Sequence, residues 1–324
     1  MRRFTPTLAA VALCVASLLP GQAHPGAPPR VAEIDRIARA QADSGFSGVV
    51  LVARGDSVLL RHAYGRVRSA EAKFAIASIT KSFTALTVLT LKDRRQLSLT
   101  DSLGRFFPHA PPDKRGISLH QLLTHTAGFG TTDVTSAIID RDSAVRALLA
   151  QPLTYPPGRG YTYNNSDYQL LAAVVEVITG RPWKAAVSDV LLKAGAHDAL
   201  FQRANDWSHR GSNGMQGTAD DLLLWTRMLD ARPEFGRPGG SARAVPHVVV
   251  RREGPYDVAY GYGMRLYLNG DHIVEVFHSG SGDDGHSAVV RRLDSGETII
   301  VLSDAGFHGT ATWSAYVAGV LSLR

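Results

Sequence analysis

Residues 78–91 read SITKSFTALTVLTL, in which a serine and a lysine three positions apart open an almost wholly apolar segment. The apolar residues are so dense that the segment is predicted to be a helix buried on most sides. Ser78 and Lys81 would then lie on one face of its first turn, within side-chain reach. A buried ammonium is costly without partners, so the pair predicts a site where Lys81 helps remove the Ser78 proton and helix N–H groups receive an oxyanion. The alternative is that Ser78 caps the helix and Lys81 extends its charge to solvent.

Two further segments carry polar groups suited to a cleft. The turn-rich loop 156–165 contains Tyr163 and Asn165 and precedes a predicted buried helix at 168–178. The segment His278-Ser279-Gly280-Ser281 ends a predicted strand, where a glycine leaves room for a ligand along the strand edge. Both segments could therefore face the serine and the lysine.

Strands are predicted at both ends of the chain, with helices between them. Residues 31–43 have helical apolar spacing, and 49–52 pairs with 58–60 as a hairpin. The middle, about 78–230, is helical in pattern, with a stop at Gly180 and a capping box at 218–221. About four strands and a last helix are then expected, at 260–268, 272–278, 287–293, 298–303 and 310–323, with Asn269-Gly270 as the first turn. The sequence thus predicts an α+β fold, with one antiparallel sheet built from both chain ends, flanked by helices and carrying a large helical insertion.

The first 23 residues are predicted to be a secretory signal. Arg2 and Arg3 precede an apolar run at 8–19, and small residues follow at 21–23. A helix that spans a bilayer needs about 20 apolar residues. This run is shorter, so no stable membrane anchor is expected. We therefore expect an exported protein, periplasmic or secreted, with one domain at 24–324. Its sheet part would cover about 31–77 and 247–324, and its helical part about 78–246.

The composition argues against several classes of partner. The chain has 35 Lys and Arg against 29 Asp and Glu, and its basic residues are scattered without a run, so no nucleic-acid partner is expected. The one cysteine, Cys14, lies in the predicted signal, so the mature chain has no disulfide or Cys-based metal site. Asp283, Asp284 and His286 could hold a metal, but adjacent carboxylates in a Gly-rich turn favour a solvated loop. No metal and no cofactor are predicted.

The three polar segments, in order, resemble the motifs of the penicillin-recognising serine hydrolases related to class C β-lactamases and serine D-Ala-D-Ala carboxypeptidases. Ser-x-x-Lys occurs at 78–81, Tyr-x-Asn at 163–165 and Lys/His-x-Gly at 278–280. Stretches 122–128, 214–222 and 260–263 also look like the family, and the resemblance covers roughly 48–303. It implies a three-layer αβα fold.

The resemblance also implies a role for each motif residue. Ser78 would be the acylated nucleophile, Lys81 its proton-transfer partner and Tyr163 a general base or acid. The substrate would be held by Asn165, which also holds Lys81, and by His278, Gly280 and Ser281. The backbone N–H groups of Ser78 and Ser281 would form the oxyanion hole.

His278 is a departure from the β-lactamase pattern, which has lysine at this position. A histidine is mostly neutral at pH 7, so a fixed positive charge near the substrate carboxylate is lost. Arg291 or Arg292 could replace that charge, although a solvated strand face is the more common role. His125, inside stretch 122–128, is expected to make core hydrogen bonds.

The expected activity is that of a β-lactamase-related carboxypeptidase or esterase that forms an acyl-enzyme. Its substrate would be a small or peptidoglycan-derived ester, amide, D-Ala peptide or β-lactam-like molecule. Two alternatives stay open: a true β-lactamase, and a non-catalytic penicillin-binding or cell-wall-binding module on the same fold.

Overall fold

A computed structural model describes residues 29–193, 200–201, 207–281 and 287–304. Its helices are α1 Pro29–Asp43, α2 Thr80–Asp93, α3 Leu103–Phe106, α4 Leu119–Leu123, α5 Arg141–Ala150, α6 Ser166–Thr179, α7 Trp183–Lys193 and α8 Ala219–Asp230. Its strands are β1 Gly48–Arg54, β2 Ser57–Tyr64, β3 Phe74–Ala75, β4 Leu200–Phe201, β5 Met215–Gly217, β6 Val248–Glu253, β7 Tyr256–Tyr260, β8 Arg265–Asn269, β9 His272–Ser281, β10 Ser287–Leu293 and β11 Glu297–Ser303. The predicted signal at 1–23, the predicted helix at 310–323 and the possible metal ligands Asp283, Asp284 and His286 lie outside the described residues.

An antiparallel sheet of eight strands forms the centre of the molecule, in the order β2-β1-β11-β10-β9-β8-β7-β6. The first and last segments meet inside it, because β1 pairs with β11 in a register that places Gly48 opposite Ser303. The prediction of one sheet built from both chain ends is confirmed. A second, three-stranded sheet, β3-β5-β4, pairs residues 74–75 with two short strands of the helical part.

Both faces of the sheet are covered, which gives the three layers. Val50 and Val52 of β1 pack with Ile34 and other apolar residues of α1 in one buried cluster. Val49 and Leu51, the alternate residues, belong to the larger cluster that includes α2, α6 and α8. Since successive strand residues point to opposite faces, the unbroken apolar run of β1 reflects burial on both sides.

The helical part is organised around α2 and α6. The α2 side chains are buried from Thr80 to Leu89, as the dense apolar pattern predicted. The start of α8 also confirms the prediction, since Thr218 and Asp221 form a reciprocal capping box. No helix within the described ranges combines the length and the apolar character needed to cross a membrane.

Several strand predictions at the C-terminal end need correction. Residues 260–268 are not one strand, because β7 ends at Tyr260 and a turn leads to β8. Gly263 in that turn has a φ of 72° and packs so closely on α2 that a Cβ would lie 2.8 Å from Ser82 Cα. The next hairpin turns at Gly270-Asp271, since Asn269 pairs with His272. Within the described residues, six strands of the main sheet follow the helical part, whereas about four were predicted.

The contact between β1 and β11 should tolerate no side chain at Gly48. A Cβ there would lie 1.9 Å from the Leu302 carbonyl oxygen, which belongs to the neighbouring backbone. We expect Gly48→Ala to lower the free energy of unfolding by about 1–3 kcal/mol, the usual cost of overpacking. Urea denaturation measures the change. Gly116→Ala is the matched control, because nothing lies within 4 Å of its Cβ position; equal stability of the two variants would contradict the prediction.

Candidate active site

Ser78 lies in a strained turn at the entrance to α2. The residues Ala77–Ile79 form one turn of 3₁₀ helix that runs directly into α2, and Ala77 has a φ of 45°. A non-glycine residue with positive φ costs energy and needs support from its surroundings. Ser78 in this turn is half-buried, so it is not enclosed in the core.

Lys81 is fully buried one helical turn later and is bonded to three acceptors. Its Nζ donates to Ser78 Oγ at 3.0 Å, to Asn165 Oδ1 at 2.8 Å and to the Ser212 carbonyl oxygen at 3.1 Å. Ser78 does not cap α2, because the N-cap residue is Ile79. The alternative of a capping serine with a solvated lysine is therefore wrong.

Burial dominates the electrostatics of Lys81. It lowers the pKa of the ammonium, and the charge of Arg265 lowers it further, while Tyr163 and Asp167 act in the opposite direction. A lysine with a lowered pKa can exchange a proton with a neighbouring hydroxyl. Since Ser78 Oγ is one of its hydrogen-bond partners, the geometry suits activation of the serine.

Tyr163 lies over the lysine, in the loop before α6. The Lys81 Nζ is 4.8 Å from the centre of its ring, and the guanidinium carbon of Arg265 is 5.3 Å from it. Its ring also lies 4.7 Å from that of His125, measured between centres. The predicted residues Ser78, Lys81, Tyr163 and Asn165 are thus brought together.

Gly280 allows β9 to approach the serine turn closely. A Cβ at this position would lie 2.6 Å from the Ser78 backbone nitrogen and 2.7 Å from the Ile76 carbonyl oxygen. Only a residue without a side chain fits there. Ser281 follows, exposed at the end of the strand. The oxyanion hole formed by the Ser78 and Ser281 N–H groups stays a prediction.

His278 is neutral and fully buried. Its Nδ1 lies 2.8 Å from the Ser279 carbonyl oxygen and therefore carries the proton, while Nε2 faces the Tyr260 hydroxyl at 3.4 Å. Burial lowers its pKa well below the usual value, and the charges of Arg265 and Lys81 act in the same direction. The structure places this ring behind Tyr163, 6.3 Å between centres. Its contact with substrate stays a prediction.

Arg265 places a second positive charge beside Tyr163, and no sequence pattern indicated it. Arg291 instead forms an ion pair with Glu275 and lies 5.0 Å from the centre of the Phe277 ring. Arg292 is buried and bonded to Asp230 and the Gly236 carbonyl oxygen. Neither arginine supplies the charge at Tyr163, and neither lies on a solvated strand face, so both expectations were wrong.

Other site residues were also missed. Asn213 accepts a hydrogen bond from Ser78 Oγ at 3.4 Å, and its neighbour Ser212 supplies an acceptor to Lys81. They directly precede stretch 214–222, which was the available signal. His125 was expected to bond in the core, and it does so with Asp167 at 2.8 Å.

Within the described residues, no group of three or more His, Cys, Asp or Glu side chains is placed to hold a metal ion. The possible ligands Asp283, Asp284 and His286 fall outside that part. The absence of a metal site and of a cofactor stays a prediction.

Comparison with known proteins gives consistent matches. The profile of the Beta-lactamase family matches residues 34–313. Penicillin-binding protein 4* of Bacillus subtilis is 23% identical over 313 residues, which cover 80% of this chain and 68% of that protein. Esterase EstB of Burkholderia gladioli is 32% identical over 185 residues, which cover 48% of this chain and 47% of the esterase. The matches thus span about two thirds and about half of these relatives.

The fold is also similar to that of solved structures. A D-stereospecific amidohydrolase from Streptomyces sp. superposes with a TM-score of 0.70 at 21% sequence identity, covering 90% of this chain and 98% of that structure. At this identity the likeness shows the fold alone.

A side chain at position 280 should separate β9 from the serine turn. We expect Gly280→Ala to slow acylation of Ser78 by about 10–100-fold, because a displacement near 1 Å costs up to about that much in rate. The release of p-nitrophenol from p-nitrophenyl acetate in a stopped-flow instrument measures the acylation rate. Gly116→Ala controls for the alanine substitution; wild-type kinetics in Gly280→Ala would contradict the expected close approach.

Proposed function

Because the chain belongs to the β-lactamase family, and because Ser78 Oγ lies 3.0 Å from a fully buried Lys81, we propose that it is an exported serine hydrolase. It would act through an acyl-enzyme on an ester, an amide or a D-Ala peptide, as a carboxypeptidase or esterase. Export rests on the predicted signal at residues 1–23. The proposed activity rests on one observation. The Ser78 hydroxyl contacts Lys81, whose three hydrogen-bond acceptors are neutral groups.

The proposed reaction has two halves. Ser78 Oγ forms a bond to the substrate carbonyl carbon, and its proton passes to the Lys81–Tyr163 pair. The pair gives that proton to the leaving group when the ester or amide bond breaks. A water molecule then attacks the acyl-serine, which releases the acid and restores the Ser78 hydroxyl.

Asn165 and Gly280 would position the partners of the reaction. Asn165 Oδ1 holds the Lys81 ammonium at 2.8 Å, which leaves its amide NH₂ group to donate to substrate. Gly280 lets a substrate backbone lie along β9. The Ser78 and Ser281 N–H groups would receive the oxyanion.

Arg265 supports a preference for substrates that carry a carboxylate. It is half-buried beside Tyr163 and supplies the positive charge that the neutral His278 does not. D-Ala peptides and penicillins both carry a free carboxylate near the scissile bond. The related proteins named as a penicillin-binding protein and an esterase support the two substrate classes.

Replacement of the serine tests the reaction. We expect Ser78→Ala to lower the turnover of p-nitrophenyl acetate and of D-alanyl-p-nitroanilide by about 10⁴-fold or more, with an unchanged circular dichroism spectrum. Turnover of both substrates by Ser78→Ala at the wild-type rate would refute the proposed nucleophile.

Intact-mass spectrometry after exposure to a penicillin separates the alternatives. A lasting adduct on the wild type and not on Ser78→Ala supports a penicillin-binding peptidase. Loss of penicillin without an adduct supports a true β-lactamase. The absence of an adduct and of any turnover of ester, amide or penicillin would leave the non-catalytic binding module.

The role of Arg265 can be tested within a single variant. We expect Arg265→Gln to lower kcat/KM for a D-Ala peptide by about 10–100-fold relative to its effect on p-nitrophenyl acetate, because one charge-assisted hydrogen bond contributes about 1.5–3 kcal/mol. Arg265→Lys keeps the charge and should lose less. Equal losses on both substrates would show that Arg265 does not bind the carboxylate.

A further inference from the structure

A buried His125–Asp167 pair lies beside the site and has no part in the reaction described above. Both side chains are fully buried, and His125 Nδ1 lies 2.8 Å from Asp167 Oδ2. His125 Nε2 and Asp167 Oδ1 are buried without a hydrogen-bond partner. The other contacts of His125 are aromatic, since its ring centre lies 4.7 Å from that of Tyr163 and 4.7 Å from that of Tyr260.

The hydrogen bonds favour an ionised Asp167 beside a neutral His125. Asp167 Oδ2 accepts a hydrogen bond from Asn164 Nδ2 at 2.8 Å, and His125 Nδ1 lies 2.8 Å from the same oxygen. Burial lowers the pKa of His125 well below its usual value, so its ring carries one proton, which an ionised Asp167 would place on Nδ1. Burial raises the pKa of Asp167 well above its usual value, and the Asn164 hydrogen bond and the charge of Lys81 act in the opposite direction.

Lys81 and Asp167 are held by neighbouring residues at the start of α6. Asn165 accepts from the Lys81 ammonium, and Asn164 donates to the Asp167 carboxylate. The three hydrogen-bond acceptors of Lys81 are neutral, so its charge is not balanced by a direct ion pair. A nearby opposite charge stabilises a buried ammonium, and Asp167 is a buried carboxylate in the first turn of α6, two residues after Asn165.

We propose that Asp167, held ionised despite its burial by its hydrogen bonds with Asn164 and His125, is a positioning residue that supplies a counter-charge to Lys81 and so helps set the pH at which the Lys81–Tyr163 pair accepts the Ser78 proton. The effect of Asp167 on acylation rests on the proposed function. The interaction between the Asp167 and Lys81 charges does not, because it is a property of the protein without substrate.

Other groups also face this pair and contribute to its field. From the strands come Arg265 of β8, Tyr260 of β7 and His278 of β9, and from the helical part come Tyr161, Tyr163 and Tyr168. Burial and Arg265 oppose the charged form of Lys81, whereas Tyr163 and, more weakly, Asp167 favour it. Removal of the Asp167 charge should therefore move the Lys81 titration to lower pH.

Lysine NMR tests the charge balance without any substrate. The chain has six lysines, so ¹³Cε-labelled lysine gives few signals, and Lys81→Met assigns the one of interest. We expect Lys81 to titrate at lower pH in Asp167→Asn than in the wild type. Asp140→Asn is the matched control, because it removes an exposed carboxylate that caps α5, and should leave the titration unchanged. An unchanged Lys81 titration in Asp167→Asn would overturn the proposal.

A second variant covers the possibility that Asp167→Asn does not fold. His125→Phe keeps a ring against Tyr163 but removes the donor to Asp167, so the carboxylate is protonated more easily and Lys81 should again titrate at lower pH. A Lys81 titration equal to that of the wild type in folded His125→Phe would count against the proposal.

The pH profile of acylation by p-nitrophenyl acetate tests the consequence. We expect its acidic limb to move to lower pH in Asp167→Asn, because Lys81 loses its proton more readily. A merely structural role would scale the rate at every pH and leave the limb in place, which would overturn this part. If no variant and no wild-type protein is acylated, the proposed function fails, while the NMR titration still decides the charge balance.

Discussion

The ammonium group of Lys81 is fully buried, and its hydrogen bonds bring acceptors from separate parts of the chain to one point. The turn before α2 gives the Ser78 hydroxyl, the start of α6 gives Asn165, and the segment before β5 gives the Ser212 carbonyl. A buried donor that lost its acceptor would cost about 1–3 kcal/mol, and more when charged. Strand β9 packs against the turn that carries Ser78, because Gly280 has no side chain that would keep the strand away.

Local patterns were sufficient for much of the fold. The density of apolar residues predicted the burial of α2, alternation and turns predicted the first hairpin, and Thr218 with Asp221 predicted the start of α8. The motif residues came together as expected because each lies next to a strong local signal. The errors arose where tertiary contacts determine the local structure. One example is the turn that divides the predicted strand 260–268, where Gly263 packs on α2. The Gly254-Pro255 pair was an available turn signal for β6 and β7.

The electrostatic partners could not be found from the sequence. Arg265 and Asp167 are common residue types without a distinctive spacing, and the one signal for Asn213 was its place next to stretch 214–222. The packing of β8, of α6 and of the loop before β5 brings these residues to the site. Arg291 and Arg292 were closer in sequence to the third motif, but strand pairing and the contact with α8 direct them elsewhere. With 29 arginines in the chain, nearness in sequence does not identify the one that faces the site.

The pairing of β1 with β11 has a consequence for how the protein matures. It joins positions 255 residues apart, Gly48 and Ser303, so the central sheet has a very high contact order and can be completed only when nearly the whole chain is available. Ser78 and Lys81 lie in the early, helical half, whereas Gly280 and its strand arrive with the late half. A nascent chain therefore carries its serine and lysine long before it has the strand that packs on the serine turn, so the candidate site is assembled late in folding.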